Sequence, residues 1–267
     1  MKGVSGIMSL PIANKVVVVT GAGRGIGRAI SEKMAHLGGI VVATDYAMEN
    51  LNETLPALKG ISSQPHEGFL MDVTSKESVQ KACRYVGEKY GRIDILVNNA
   101  GVSSMQRIED LTEEEWDFNF NVNMKGLFFV TQAALPYMKK VCGRIVNIAS
   151  MASLKGAPLL AHYAASKWAV MGFTKSCALE FGEYKMTVNC ICPGYVKTTM
   201  QDNEVEWEGK LRGMTPQEVR DEYIDLTPLG AICTAEQVAD AAGFLAGPDS
   251  AFITGAHITV TGGADLH

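Results

Sequence analysis

Tyr163 is followed four residues later by Lys167, and Ser150 stands thirteen positions before the tyrosine. An α-helix advances about 3.6 residues per turn, so the phenol and the ammonium share one face. A cation beside a phenol favours its ionised form and draws its pKa down from about 10. A phenol tuned in this way can exchange a proton with an alcohol or a carbonyl, which is general acid–base chemistry. Taken alone, Tyr-x-x-x-Lys also describes an ordinary solvated contact on a helix face. The elements around it decide between the two readings.

Near the N-terminus, Lys15 to Thr20 is a β-branched run of the kind that forms a strand buried on both faces of a parallel sheet. It leads directly into Gly21-Ala22-Gly23-Arg24-Gly25-Ile26-Gly27, after which Arg28 to Leu37 reads as a helix. Ile26, Ile30, Met34 and Leu37 form its apolar stripe, and Gly38-Gly39 ends it. Glycines at a strand-to-helix turn let the backbone approach a pyrophosphate, and the helix N-terminus offers it free N–H groups. The spacing is Gly-x-x-x-Gly-x-Gly at 21, 25 and 27. A second strand, Ile40 to Thr44, ends at Asp45, eighteen residues beyond Gly27. A dinucleotide fold places at about this distance the acid that binds ribose hydroxyls. A carboxylate there accepts both hydroxyls of NAD and repels the 2′-phosphate of NADP. Arg24 argues for NADP, but Tyr46 supplies no second cation, so the balance favours NAD.

These motifs, in this order, resemble the short-chain dehydrogenase/reductase family over residues 14–263. Thr20-Gly21-x-x-x-Gly25-x-Gly27 is similar to its cofactor turn, which includes Arg24 and Ile26. Asp72-Val73 is similar to its adenine-contacting pair, and Asn98-Asn99-Ala100-Gly101 to its N-N-A-G segment. Pro193-Gly194, Val196 and Thr198 are similar to the loop holding the nicotinamide end. Asn123, Ser150, Tyr163 and Lys167 fall where the family has its catalytic four. The resemblance implies that Tyr163 is the acid/base, and that Lys167 lowers its pKa and holds the nicotinamide ribose. Ser150 would stabilise charge on the reacting oxygen. Asn123 would hold, through its carbonyl, a water linking Lys167 to solvent. Two residues keep structural alternatives: Ser150 as a strand-end cap and Asn123 as a packing residue at a helix kink. A homodimer or homotetramer is also implied.

The chain has 267 residues, 47% hydrophobic and 20% charged, enough apolar material for one domain with a sheet covered on both faces. A net charge of −5 argues against nucleic-acid and anionic-membrane surfaces. No apolar run approaches the ~18 residues of a membrane span. Residues 1–13 read as a flexible extension, lacking the pattern of a signal peptide, and 14–267 as one domain. The six cysteines show no C-x-x-C pair and read as reduced thiols of a cytoplasmic protein; the five histidines form no metal-ligand set.

Strands and helices alternate throughout, which predicts an α/β fold: a single doubly wound parallel sheet of Rossmann type with helices on both faces. Helical stripes or caps mark Ser75 to Tyr90, a helix opening at Thr112 to Glu115, Tyr163 to Phe181, and Thr234 onwards. Residues 195–228 have no strand of their own, and Glu204 to Gly213 and Thr215 to Leu226 read as helices. So long a connection suggests a helical lid over the substrate, with an interface helix pair as the alternative. Ser103, Met151, Ser153, His162, Tyr195 and Trp207 are candidates to line a pocket of modest polarity, although His162 could equally be a packing residue. The segment from Trp207 to Leu229 is similar to the sugar-alcohol branch of the family. Together these point to NAD-dependent oxidation of a secondary hydroxyl on a small polyol, sugar alcohol or hydroxy acid. The rivals are a 3-oxoacyl-thioester reductase and, less favoured because Ser150, Tyr163 and Lys167 are all present, a non-catalytic NAD-binding scaffold.

Overall fold

The valine run after Lys15 explains the architecture. Strand β1 (Val16–Thr20) is buried throughout, and alternate side chains must leave opposite faces of a sheet. Val17 and Val19 enter one apolar layer, whereas Val16 and Val18 enter another. Each fully buried valine contributes on the order of 1.5–3 kcal/mol. In the computed structural model, which describes residues 10–266, the strand is central to a seven-stranded parallel sheet.

The other strands are β2 (Ile40–Asp45), β3 (Glu67–Leu70), β4 (Ile95–Asn98), β5 (Arg144–Ile148), β6 (Thr187–Pro193) and β7 (His257–Val260). Their order is β3-β2-β1-β4-β5-β6-β7, and every pairing is parallel. The expected doubly wound Rossmann-type sheet is therefore what the chain forms. The order reverses between β1 and β4, which opens a crevice beyond the carboxyl ends of those strands.

One face carries α1 (Gly25–His36), α2 (Thr54–Ile61) and α9 (Ala235–Ala246), packed on Val17 and Val19. The opposite face carries α3 (Lys76–Tyr90), α5 (Leu127–Met138) and α6 (Ala161–Glu180). The expected capping residues are in place. Ser75 accepts the Ser78 N–H at the start of α3, and Thr112 with Glu115 forms a capping box for α4 (Glu113–Phe120). Strand β3 and helices α2 and α5 have no counterpart in the expectations above. Between α4 and α5, residues Asn121–Gly126 form a wider π-helical turn rather than a simple kink. Such turns insert one residue and re-aim a side chain.

A buried polar ladder joins this second layer to the sheet. Asn98 donates to Thr131 at 3.1 Å and to Asn147 at 2.9 Å, and Asn147 donates to Thr174 at 2.9 Å. β4, β5, α5 and α6 are thereby held in one register. Leaving any of these groups unpaired would cost about 1–3 kcal/mol.

Of the extension expected at 1–13, residues 1–9 lie outside the described residues. Ile12 is buried in the core, and its N–H donates to the Leu37 carbonyl at 3.1 Å. Residues 195–228 hold α7 (Thr199–Arg212) and α8 (Pro216–Asp225), the first beginning earlier than expected because Thr198 caps it. These helices have a small core of their own, Val205, Val219 and Tyr223, with Tyr195, Met214 and Ile232 against it.

Candidate active site

The glycine turn is built as a cradle. Gly21 and Gly25 have φ of 60° and 53°, the left-handed region that other residues adopt at a cost. A Cβ on Gly27 would stand 2.1 Å from the Gly21 carbonyl oxygen and 2.4 Å from Asn99 Nδ2. Asn99 closes the turn from β4: its amide donates to the Thr20 and Gly21 carbonyls at 2.9 and 3.0 Å. The Asn99 and Ala100 N–H groups donate to Thr20 Oγ1, both at 2.9 Å. Bare backbone at the N-terminus of α1 is what a pyrophosphate requires.

This cradle forms one end of a cavity of about 1230 Å³. Gly21, Arg24, Gly25, Ile26 and Gly27 line it there, with Asp45, Asp72 and Val73 alongside. Asn99, Ala100 and Gly101 also line it, as do Pro193, Gly194, Val196 and Thr198, the last packed against Gly25 of the turn. The Asp45 carboxylate accepts the Gly23 N–H at 3.1 Å and the Asn50 amide at 2.6 Å, so it is held at the rim of the turn. Asp72 accepts both the N–H and the hydroxyl of Thr74. The chain's residues thus fit a dinucleotide along this groove: a phosphate cradle, a diol acceptor and an elongated space between them.

At the other end lie Ser150, Tyr163 and Lys167. Ser150 follows β5 and caps the short turn Met151–Ser153, its hydroxyl oxygen accepting the Ala152 N–H at 3.1 Å. The two alternatives for this residue are compatible. The Ser150 hydroxyl also faces the Tyr163 phenol, where its hydrogen-bonding influence favours the ionised form. Lys167 Nζ lies 5.7 Å from the centre of the Tyr163 ring and donates to the Ile148 carbonyl at 3.0 Å.

The expected lowering of the phenol pKa is not found in the free chain. Burial, and next the Glu204 charge, push the Tyr163 phenol up, and the Ser150 bond only partly offsets them. Burial also pulls the Lys167 ammonium down to about 8. A buried ammonium is penalised by desolvation, so a lysine does not automatically act as a full cation for its neighbour.

Asn123 stands behind the cavity rather than in its wall. Its side chain accepts the Val102 N–H at 2.8 Å and donates to the Val102 carbonyl and Ser166 hydroxyl at 3.0 and 2.9 Å. A Cβ on Gly101 would be 3.3 Å from both Asn123 Oδ1 and Lys167 Nζ, which shows how closely the two converge. The wide turn between α4 and α5 is what places it there.

Ser103, Met151, Tyr195 and Trp207 line the cavity as expected. His162 does not. It is fully buried, and its Nε2 lies 2.8 Å from the Ser104 hydroxyl. Consecutive helix residues point about 100° apart, so Tyr163 facing the cavity turns His162 into the interior. Ser153 is likewise buried away from the cavity wall.

Helices α7 and α8 supply residues that the sequence reading passed over. Glu204 and Glu208 line the cavity, as do Arg212 and Glu222. Arg212 bridges Glu208 at 2.6 Å and Glu222 at 2.7 Å; Tyr223 donates to Glu208 and stacks on Tyr195 at 3.9 Å. Glu204 faces Ser103, and burial raises its carboxyl to about 7. The nearest hint in the sequence is the i, i+4 pair Glu204 and Glu208 on a helix with Val205 and Gly209 buried.

The model of the family described as short chain dehydrogenase matches residues 15–209. The chain is 36% identical over 253 residues to a 3-oxoacyl-[acyl-carrier-protein] reductase of Thermotoga maritima, covering 94% of this chain and 98% of the relative. It is 38% identical over 252 residues to D-beta-hydroxybutyrate dehydrogenase of Rhizobium meliloti, covering 93% and 98%. The same identity, over 252 residues and 94% of each chain, relates it to meso-2,3-butanediol dehydrogenase of Serratia marcescens. Among solved structures, NAD+-bound xylitol dehydrogenase superposes with a TM-score of 0.90 at 31% identity, covering 94% of this chain and 99% of that one. An actinorhodin polyketide ketoreductase with NADPH also scores 0.90, at 33% identity, covering 95% and 98%.

Proposed function

The chain belongs to the short-chain dehydrogenase family, whose members are oxidoreductases acting on CH–OH groups, and from that premise we propose that it is an NAD(H)-dependent alcohol dehydrogenase. Its substrate is a small polar compound with a secondary hydroxyl: a polyol, sugar alcohol or hydroxy acid. The observation that carries this reading is the orientation of Ser150. Anchored by the Ala152 N–H, its hydroxyl stands beside Tyr163 in the wall of a cavity that the glycine cradle also lines.

In this reading a bound nicotinamide dinucleotide accepts or supplies the hydride. Tyr163 takes the hydroxyl proton during oxidation and returns it during reduction. Ser150 donates to the reacting oxygen and stabilises charge growing there. Lys167 lies between the tyrosine and Asn123, and its Nζ would pass the proton to a water held by the Asn123 carbonyl and so to solvent. Helices α7 and α8 cover the substrate end, with Tyr195, Trp207 and Met151 supplying its apolar surface.

The choice of NAD rests on Asp45, a carboxylate fixed at the rim by Gly23 and Asn50 where a 2′-phosphate would be repelled. Exposed Phe128 on α5 and Trp168 and Leu179 on α6 support a homodimer or homotetramer built on those helices. Six free thiols fit the reducing cytoplasm. Among the described residues, no helix is long and apolar enough to cross a membrane. A second reading, reduction of a 3-oxoacyl thioester, is favoured by the Thermotoga maritima relative and opposed by Asp45.

The test is formation of reduced nicotinamide by the purified protein with a panel of polyols and hydroxy acids, each with NAD and with NADP. Turnover with NAD on members of the panel is expected. Consumption of NADPH by a 3-oxoacyl thioester, with no activity on the panel, would replace this reading with the second.

A further inference from the structure

From the position of Glu204 we infer that it is a specificity residue: its carboxyl accepts a hydrogen bond from a second hydroxyl of the substrate and keeps a substrate carboxylate out. The inference rests on the dehydrogenase reading and narrows its substrate class to uncharged diols and polyols, away from hydroxy acids.

Three observations lead there. The first is location. Glu204 lies on α7 in the cavity wall at the Ser150 and Tyr163 end, near enough for its charge to act on the Tyr163 phenol. The second is that its acceptor capacity is not used. Among the described residues Glu204 makes no ion pair. The polar group facing it is the Ser103 hydroxyl, buried and without a well-formed hydrogen bond of its own. The side chain is half-buried in the cavity wall, so its free oxygens face the space that a substrate would occupy.

The third is the disposition of the surrounding charges. Glu208 is held by Arg212 and Tyr223, and Glu222 by the same Arg212. Arg107 donates to the Leu211 carbonyl at 3.0 Å and Lys155 to the Ala264 carbonyl at 2.6 Å. Lys167 donates to the Ile148 carbonyl at 3.0 Å. Arg107, Lys155 and Lys167 are thus oriented by backbone carbonyls, and while Glu208 and Glu222 each have a cation against them, Glu204 has none among the described residues. Burial, opposed by Ser103 and reinforced by Glu208, raises that carboxyl to about 7, so it can accept or donate near neutrality. Either form pairs with a hydroxyl. Only the ionised form repels a carboxylate, and the pairing of a polar site with the wrong partner is how such pockets discriminate.

The experiment compares butane-2,3-diol, 3-hydroxybutyrate and 1-amino-2-propanol, which are neutral, anionic and cationic at neutral pH. For each, kcat/KM with NAD is measured at pH 8 in the wild type and in Glu204→Gln, with thermal melting to confirm that the variant folds. The wild type should prefer the neutral and cationic compounds to the anion, and Glu204→Gln should reduce that preference by about tenfold or more. The substitution should also move the acid limb of the pH profile for oxidation downward, because Tyr163 must be ionised to take the proton and the charge that raises its pKa is gone; a purely structural role would not. A wild type that prefers 3-hydroxybutyrate, or a preference unchanged in Glu204→Gln, would overturn the assignment. If none of the three turns over, the dehydrogenase reading fails separately. The charge assignment is then decided by calorimetric binding of the same compounds to the NAD-saturated protein, where the same order and the same loss in the variant are required.

Discussion

Replacing Asp45 by serine isolates the basis of cofactor choice. The carboxylate is 5% exposed and already accepts the Gly23 N–H and the Asn50 amide, so only part of its capacity remains for a ribose diol. A hydrogen bond to a charged acceptor contributes about 1.5–3 kcal/mol. Losing one at the middle of that range, about 2 kcal/mol, weakens NAD binding by about 30-fold. The same change removes a repulsion against the 2′-phosphate of NADP. Two like charges about 6 Å apart at an effective dielectric of about 40 repel by roughly 1.4 kcal/mol, another factor of about 10. The ratio of NAD to NADP affinity should thus fall about 300-fold, with Arg24 left to favour the phosphate. Fluorescence or calorimetric titration of the two cofactors measures this without a known substrate, and thermal melting checks that Asp45→Ser folds. A wild type that binds NADP more tightly than NAD, or a ratio that moves less than about threefold, would refute the reasoning.

Lys167→Met should stabilise the cofactor-free protein while abolishing turnover. The ammonium is lowered from 10.5 to about 8 by burial, a penalty on the order of 3 kcal/mol at neutral pH. Below about pH 8 the folded and unfolded chains both carry the proton and the penalty is constant. Between about 8 and 10.5 only the unfolded chain carries it, so wild-type stability rises with pH there, and the variant should lack that rise. Urea unfolding at two pH values reads both effects. Arg212→Ala should cut the tie from α7 to Glu222 on α8 and free Glu208 within α7, raising the KM for the alcohol several-fold while leaving the NAD dissociation constant unchanged. A parallel loss of NAD affinity, measured by titration, would place α7 and α8 outside the substrate end.

Features carried by short motifs on regular elements were legible in the sequence. The glycine turn, Asp45, the Asn99 segment and the Tyr163–Lys167 helix depend on local spacing, and buried strands on each side fix where they stand. Capping residues at Ser75, Thr112, Thr215 and Thr234 set helix starts for the same local reason. Features that depend on tertiary packing were not legible. His162 adjoins Tyr163 in sequence yet turns into the interior towards Ser104. The direction of the Tyr163 pKa shift follows from burial and from Glu204, neither of which is visible in the spacing of Tyr and Lys. Glu204 itself is one acid among several on a mixed helix. What distinguishes it is a place in the cavity wall with no ion pair among the described residues, and only the fold determines that. The wide turn at Asn121–Gly126, which aims Asn123 at Val102 and Ser166, likewise has no composition signal.

The central claim is that the Tyr163 phenol performs proton transfer at a nicotinamide-dependent alcohol site. Its most direct test is kcat for Tyr163→Phe beside NAD affinity in the same variant, on an alcohol the wild type oxidises. Loss of the acid/base group predicts a fall in kcat of about 10²–10⁴-fold with NAD affinity unchanged. Turnover retained within about tenfold would contradict the account and assign the proton transfer to another group.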